Sequence, residues 1–303
     1  MYAHGPLAQL VELRTFNPQV VGSIPTGPTT HCSSWCLHAG GCLPRSHYAG
    51  SMAQTTIAVV IPCLNDAELL DRCLGSLDRQ TRRAEFVVVV DNGCTDESAG
   101  VAAEHGARVV AEPRRGITWA AATGYDAAYR WGAEFIVRTD ADAWLPDDYL
   151  ESLDRAWSSA PPGVVGVTGR ALFDAAPRAV SRLYLAVYRW SVGSALGHPP
   201  FFGTNCSFRA SWWSSVHGSL AMEDTAAHDD MQLSFAVRPG ETVWFVPELV
   251  VGMDNRALRG RRQILRRLRR GWYTMMRGFT VSPPWRRLPE RWARARAGTR
   301  LDL

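Results

Sequence analysis

Two short acidic clusters in this 303-residue chain have the composition to do chemistry. Thr139-Asp140-Ala141-Asp142 places carboxylates at i and i+2. On a turn both can converge on one divalent ion and leave coordination positions for phosphate oxygens of a substrate. Mg²⁺ prefers such mixed sites, and Mn²⁺ accepts the same oxygen ligands. Asp91-Asn92-Gly93-Cys94-Thr95-Asp96 offers an acceptor, an amide that both donates and accepts, and a glycine that permits a tight turn. That combination suits a base and ribose. Each pattern has an ordinary alternative. Acidic pairs are common on solvated loops, and Asp96 could simply cap the next helix. A third pair, Asp229-Asp230, could equally be an N-terminal helix cap favoured by the helix dipole.

The elements that must carry these residues sharpen the choice. Ile57 to Ile61 is an apolar β-branched run closed by Pro62, the signature of a buried strand. Leu69, Leu70, Cys73, Leu74 and Leu77 recur at helical spacing after Asn65 or Asp66, either of which can cap. A strand over Phe86 to Val90 ends at Asp91. Helix is predicted for Ser98 to His105, strand for Arg108 to Ala111, and Ala-rich helix for Ile117 to Trp131. Phe135 to Arg138 reads as the next strand and runs into Asp140. Four successive β-α units predict an α/β domain with a mostly parallel central sheet flanked by helices. Ligands in such sheets sit outside the carboxyl ends of the strands, and two strands here end in carboxylates. Beyond them, helices are predicted for 147–157, 178–192 and 229–237, and strands for 164–172, 204–208 and 243–246.

Several segments together carry a more specific likeness. VVIPCLNDAELLDRCLGSLDRQ, VVVVDNGCTDES, VRTDADAWLPDDYL, GTNCSFRAS and HDDMQLSFAVRPG occur in an order and spacing that resembles family 2 glycosyltransferases of the GT-A fold, over roughly Thr56 to Asn255. The resemblance implies inverting transfer of a sugar from a nucleotide-sugar donor. It places Pro62 and Leu64 beside the base and Asp91 and Asn92 on base or ribose. Asp140 would lie near ribose and metal, and Asp142 would be the principal ligand of a Mg²⁺ or Mn²⁺ ion. Asp229-Asp230 matches the acidic pair that opens a helix and supplies the general base, with Asp230 as the base by position and Asp229 as the fallback.

The chain also departs from the family pattern. Asp91-Asn92 replaces a usual acidic pair, and Ala121-Ala122 stands where Arg-Asn is frequent. Arg115, just before Gly116, could substitute near the phosphates, and no histidine matches the family's further metal contact, His217 and His228 being candidates only. Gln263-Ile264-Leu265-Arg266-Arg267 echoes the acceptor-side Gln-Arg-Trp motif without its Trp, which argues against a processive polymer synthase. A nucleotidyltransferase that makes the activated sugar would share the sheet, but it needs a Gly-rich basic loop where this chain has Pro62-Cys63-Leu64-Asn65. A non-catalytic binding protein of the same fold would be expected to lack one of the carboxylates.

The chain is expected to divide into three parts: 1–51, a non-native leader, because Leu7 to Thr29 resembles a reading frame across a tRNA gene and translation is then expected to start at Met52; 52–255, the transferase domain; and 256–303, a basic amphipathic segment. The leader is rich in Gly, Pro, Ser and Thr, and its Cys32, Cys36 and Cys42 match no standard metal spacing. The other four cysteines read as core residues in a reducing compartment. From Val251 onward 15 Arg face three acidic residues, so an anionic partner should meet this end of the chain. Leu265, Leu268, Trp272, Met275, Met276 and Phe279 mark one face of a helix. That face would either lie on an anionic membrane, through 256–279, or pack on the catalytic domain. Sparse aromatic interleaving and an acidic catalytic half disfavour nucleic acid. These features suggest a bacterial enzyme of cell-envelope synthesis, cytoplasmic or peripheral on the inner face of the plasma membrane, acting on a glycan or lipid-linked acceptor.

Overall fold

Strand β1 (Ile57–Cys63) is buried along its whole length and lies inside an eight-stranded sheet. It is flanked by β2 (Phe86–Asp91) and β4 (Phe135–Arg138), with β3 (Arg108–Ala111) on the edge, and all four are parallel. The computed structural model describes residues 55–258, 260–287 and 289. The leader, its three cysteines and the proposed start at Met52 lie outside the described residues.

The alternation of β1 gives each sheet face its own core. Ile57, Val59 and Ile61 pack with Leu70, Cys73, Leu74 and Leu77 of α1 (Ala67–Asp78) and with Leu150, Leu153 and Trp157 of α4 (Tyr149–Ser158). Ala58 and Val60 face α3 (Ile117–Arg130), where Ala120, Ala121 and Ala128 allow close approach, and α6 (Ala210–Val216), which contributes Trp212 and Trp213. Each fully buried Val or Ile contributes about 1.5–3 kcal/mol, so β1 anchors both layers. The strand continues through Pro62, which the sequence reading makes its terminator. Pairing with β4 stops at Val60↔Arg138, so the missing N–H of Pro62 leaves no ladder bond unmade on that side.

The full strand order is β3-β2-β1-β4-β7-β6-β8-β5. After the parallel half, β7 (Cys206–Arg209) runs antiparallel to both β4 and β6 (Val164–Phe173). β6 pairs in parallel with β8 (Thr242–Met253), and β5 (Ala143–Trp144) closes the order antiparallel to β8. The predicted strand 243–246 is only the first half of β8. Its register against β6 shifts near Pro247 before pairing resumes at Val250↔Arg170. Helix α2 (Ser98–Glu104) precedes β3, α5 (Arg178–Leu196) follows β6, α7 (Asp229–Phe235) precedes β8, and α8 (Arg261–Val281) comes last. Cys63, Cys73 and Cys206 are buried free thiols, and Cys94 is half-buried.

Candidate active site

Strand β4 ends in a buried cation. The last residue of the apolar run Phe135-Ile136-Val137-Arg138 turns its guanidinium toward the carboxyl end of the sheet, where Arg138 Nη2 lies 3.0 Å from Asp140 Oδ1 and 3.1 Å from Asp229 Oδ2. A buried guanidinium demands such partners. Gly203, on the loop before β7, makes room for it, since a Cβ there would collide with Arg138 Nη1.

The same loop places the second aspartate of the helix pair. Gly203 N donates to Asp230 Oδ2 (3.0 Å), Met231 N donates to Asp230 Oδ1 (2.8 Å), and Phe201 N donates to Ser234 Oγ one turn further on (2.9 Å). Asp229 and Asp230 thus open α7 in different roles. Asp229 is buried against Arg138. Asp230 is held by backbone N–H groups and keeps lone pairs for another partner. Burial pushes the Asp229 carboxyl above its ordinary range, and Arg138 opposes the shift.

Asp140 accepts a hydrogen bond from Thr204 Oγ1 (2.6 Å), tying the β4 turn to the loop before β7. Asp142 sits deeper, and burial followed by the neighbouring Asp140 charge raises its carboxyl. Its counter-ion is Arg256, whose Nε donates to Asp142 Oδ2 at 2.8 Å. The two terminal nitrogens of Arg256 clasp Asp66 at 2.6 and 2.8 Å. Asp66 is therefore the N-cap residue of α1 without a side-chain capping bond, because its carboxylate is engaged by Arg256. The sequence reading counts Arg256 only as part of the basic tail and Arg138 only as part of a strand. An Arg closing an otherwise apolar strand is the signal that could have marked Arg138.

Asp140, Asp142, Asp229 and Asp230 line one cavity of about 830 Å³, together with Arg138, His228 and one side each of α5 and α8. His217 is not among its lining residues and packs instead against Trp213 with the rings tilted by 43°. Asp91 lies at the same carboxyl edge of the sheet, two strands from β4, but does not line the cavity. Its Oδ1 accepts from Cys94 N (2.6 Å) and closes the Gly93 turn. Arg115 is exposed beside Gly93. Leu64 is exposed at the end of β1, while Pro62 is buried within it.

Asn92 is a different matter. Its Nδ2 donates to the carbonyls of Glu112 (2.8 Å) and Arg114 (2.7 Å), and its Oδ1 accepts from Gly116 N (2.9 Å). The side chain assigned to base or ribose is buried and spends its hydrogen-bonding capacity on the loop before α3.

Hard oxygen donors in a like-charged pair fit Mg²⁺ or Mn²⁺, and both aspartates already draw a cation, Arg138 at Asp140 and Arg256 at Asp142. Among the described residues no group of three or more His, Cys, Asp and Glu converges as a complete ligand set.

The basic helix α8 divides its predicted apolar face. Met275 and Phe279 pack with Met231 and Phe235 of α7, and a Cβ on Gly278 would collide with the Phe235 ring. Thr274 Oγ1 accepts from His228 N (2.9 Å), and Arg277 Nε lies 2.9 Å from Asp224. Leu265, Leu268, Trp272 and Met276 stay exposed.

The mixed sheet flanked by helices matches solved glycosyltransferases of the GT-A fold. A mannosyltransferase from Pyrobaculum calidifontis, solved with GDP-Man and Mn²⁺, superposes with a TM-score of 0.53 at 21% identity, covering 82% of this chain and 76% of that one. Glucosyl-3-phosphoglycerate synthase from Mycobacterium tuberculosis, solved with UDP, gives 0.52 at 18% identity, covering 75% and 80%. At such identities the likeness establishes the fold. Residues 58–208 match the family model for glycosyl transferase family 2, and the chain belongs to that family. An uncharacterized glycosyltransferase of Mycobacterium tuberculosis is 46% identical over 77 residues, 25% of this chain and 34% of the relative. The succinoglycan biosynthesis protein ExoA of Rhizobium meliloti is 34% identical over 111 residues, 34% of this chain and 32% of the relative. The matched segments span about a third of the length of these relatives.

Proposed function

We propose that this chain is an inverting, metal-dependent glycosyltransferase that moves a sugar from a nucleoside-diphosphate donor to an acceptor hydroxyl. The observation that carries the reading is the convergence of Asp140, Asp142, Asp229 and Asp230 in the lining of one cavity at the carboxyl end of β4. Family membership supports it.

In this reading Asp230 is the general base. Asp229 is paired with Arg138 and sets the position of the α7 start, whereas Asp230 is anchored only by backbone donors. As the acceptor oxygen attacks the anomeric carbon, its proton passes to Asp230. The bond from that carbon to the donor phosphate breaks on the opposite side, and the configuration inverts. Base assistance of this kind is worth about 10²–10⁴ in rate. Asp142, with Asp140, would hold a Mg²⁺ or Mn²⁺ ion, which offsets by several kcal/mol the charge on the departing diphosphate. Leu64 and Asp91, at the ends of β1 and β2, would border the nucleotide, with the buried Pro62 behind them and Arg115 beside the Gly93 turn. Asn92 supports that region by holding its loop.

The acceptor we favour is a lipid-linked or cell-envelope glycan, with the chain peripheral on the inner face of a bacterial plasma membrane. The exposed leucines and Trp272 of α8 support that choice. Thermal shift with a panel of nucleoside diphosphates and Mn²⁺, paired with a sugar-transfer assay, tests the reading. Asp142→Asn should abolish the Mn²⁺-dependent shift. Asp230→Asn should keep the shift and lose turnover by at least about 10²-fold. Full turnover in Asp230→Asn would move the base elsewhere.

A further inference from the structure

Helix α5 carries an apolar stripe at the rim of the aspartate cavity that the transfer chemistry gives no role. Val180, Leu183, Val187 and Trp190 follow at spacings of three and four and lie on one helix face. Leu183 is 66% and Trp190 is 73% exposed. Across the cavity α8 presents Ile264, Leu265, Leu268, Trp272 and Met276 at the same spacings, with Leu268 66% and Trp272 63% exposed. Both stripes border the same opening, because Val180, Leu183 and Val187 line the cavity from one side and Ile264, Leu268 and Trp272 line it from the other.

The charge on the two helices is as one-sided as their hydrophobicity. Together they contain ten Arg and no Asp or Glu. Arg262, Arg266 and Arg269, all exposed, interleave with the α8 stripe. Among the described residues no helix is long and apolar enough to cross a membrane.

We propose that α5 and α8 form a single docking face for an anionic lipid bilayer, with the mouth of the aspartate cavity opening between them into the bilayer surface. Two apolar stripes that border one opening, each carrying a Trp and accompanied by Arg, have the chemistry of an interfacial helix pair. The leucines and tryptophans enter the boundary between headgroups and acyl chains, and the arginines meet lipid phosphates. Uncharged lipid satisfies the stripes but not the arginines, so the face selects negative surface charge. If the glycosyl-transfer reading holds, an acceptor with a hydrocarbon anchor reaches Asp230 sideways from the lipid. The docking itself does not depend on that reading.

Flotation of the full chain with phosphatidylglycerol–phosphatidylcholine vesicles, and with phosphatidylcholine vesicles alone, tests the face. Trp190→Asp on α5 and Leu265→Asp on α8 are the probes, since neither side chain lines the cavity. The wild-type chain should float with the anionic vesicles and far less with the neutral ones. Each substitution should weaken anionic-vesicle binding by about tenfold. Circular-dichroism melting should be unchanged, and so should the thermal shift with nucleoside diphosphate and Mn²⁺. Unchanged flotation of Trp190→Asp overturns the two-helix face, and equal binding to neutral vesicles overturns its charge selectivity. Light scattering that reveals a concentration-dependent dimer dispersed by Trp190→Asp overturns the proposal in favour of a second copy as the occupant. Flotation as expected, without any nucleotide-dependent shift, supports the docking face and removes the donor reading instead.

Discussion

Arg138 stands almost fully buried between Asp140 and Asp229, so a charge that ordinarily needs water is neutralised by two carboxylates at about 3 Å. Removing one member of a buried ion pair leaves the others uncompensated, which costs about 3–5 kcal/mol. Arg138→Met should therefore lower unfolding free energy by that order in urea titration and displace Asp229 from the start of α7. Arg256 does a related job under different conditions. It is 37% exposed, so its pairs with Asp66 and Asp142 are worth only about 0–1 kcal/mol to stability. Its larger effect would fall on the cation proposed for Asp142. Arg256→Ala frees Asp142 Oδ2, and titration calorimetry without nucleotide should show Mn²⁺ binding several-fold tighter than in the wild type. Weaker or unchanged binding would mean that Arg256 takes no part in setting metal affinity.

Among the elements, the loop 112–116 before α3 is held from below by Asn92 and from within by Glu112. Arg114 and Thr123 bond to the Glu112 carboxylate, and chiefly Arg114 lowers it to about 2. Asn92→Ala leaves two backbone carbonyls and the N–H of Gly116 without their partner. Each buried group so stranded costs about 1–3 kcal/mol before water relieves it. A loss of about 2–3 kcal/mol in chemical denaturation is the expected result, with faster amide exchange across 112–116. Helices α1 and α2 are joined by His105, just past the end of α2, whose two ring nitrogens meet Asp71 (2.9 Å) and Asp78 (2.6 Å) of α1. Hydrogen bonding to Asp71 is the main cause raising the His105 pKa. A raised pKa means that the folded state holds the proton more tightly. The stabilisation is therefore complete below about pH 6.5, the ordinary imidazole value, and disappears as pH rises through the folded one. The melting-temperature gap between wild type and His105→Gln should shrink between pH 6 and pH 9. A constant gap would show that the contact acts without charge.

Over the whole molecule, the charge asymmetry of the chain becomes a clasp. Arg256 reaches Asp66 and Asp142, and Arg277 reaches Asp224, so the basic end is drawn onto the acidic domain while Met275 and Phe279 add apolar contact. The cavity exists because α8 is placed across from α5. Much of this was legible in advance. The β-α alternation, the strand end at Asp91, the acidic turn that follows β4 and the helix opening at Asp229 are local patterns, set by side-chain period and capping chemistry within a few residues. The second half of β8 and the short β5 were not, because a strand broken by Pro247 and a two-residue pairing have no period to read. The partners of each aspartate were not legible either. Asp142 and Arg256 are 114 residues apart, and nothing local selects one arginine among 33 basic residues. The sequence by itself determined the order of strands and helices through β4 and the opening of α7 at Asp229, since those choices follow from hydrogen bonding and periodicity nearby. Only the tertiary structure decided that Asn92 holds a loop, that Arg138 and Arg256 neutralise the acids, and that half of the α8 stripe packs inward. Those outcomes depend on burial and charge contributed by segments distant in the chain.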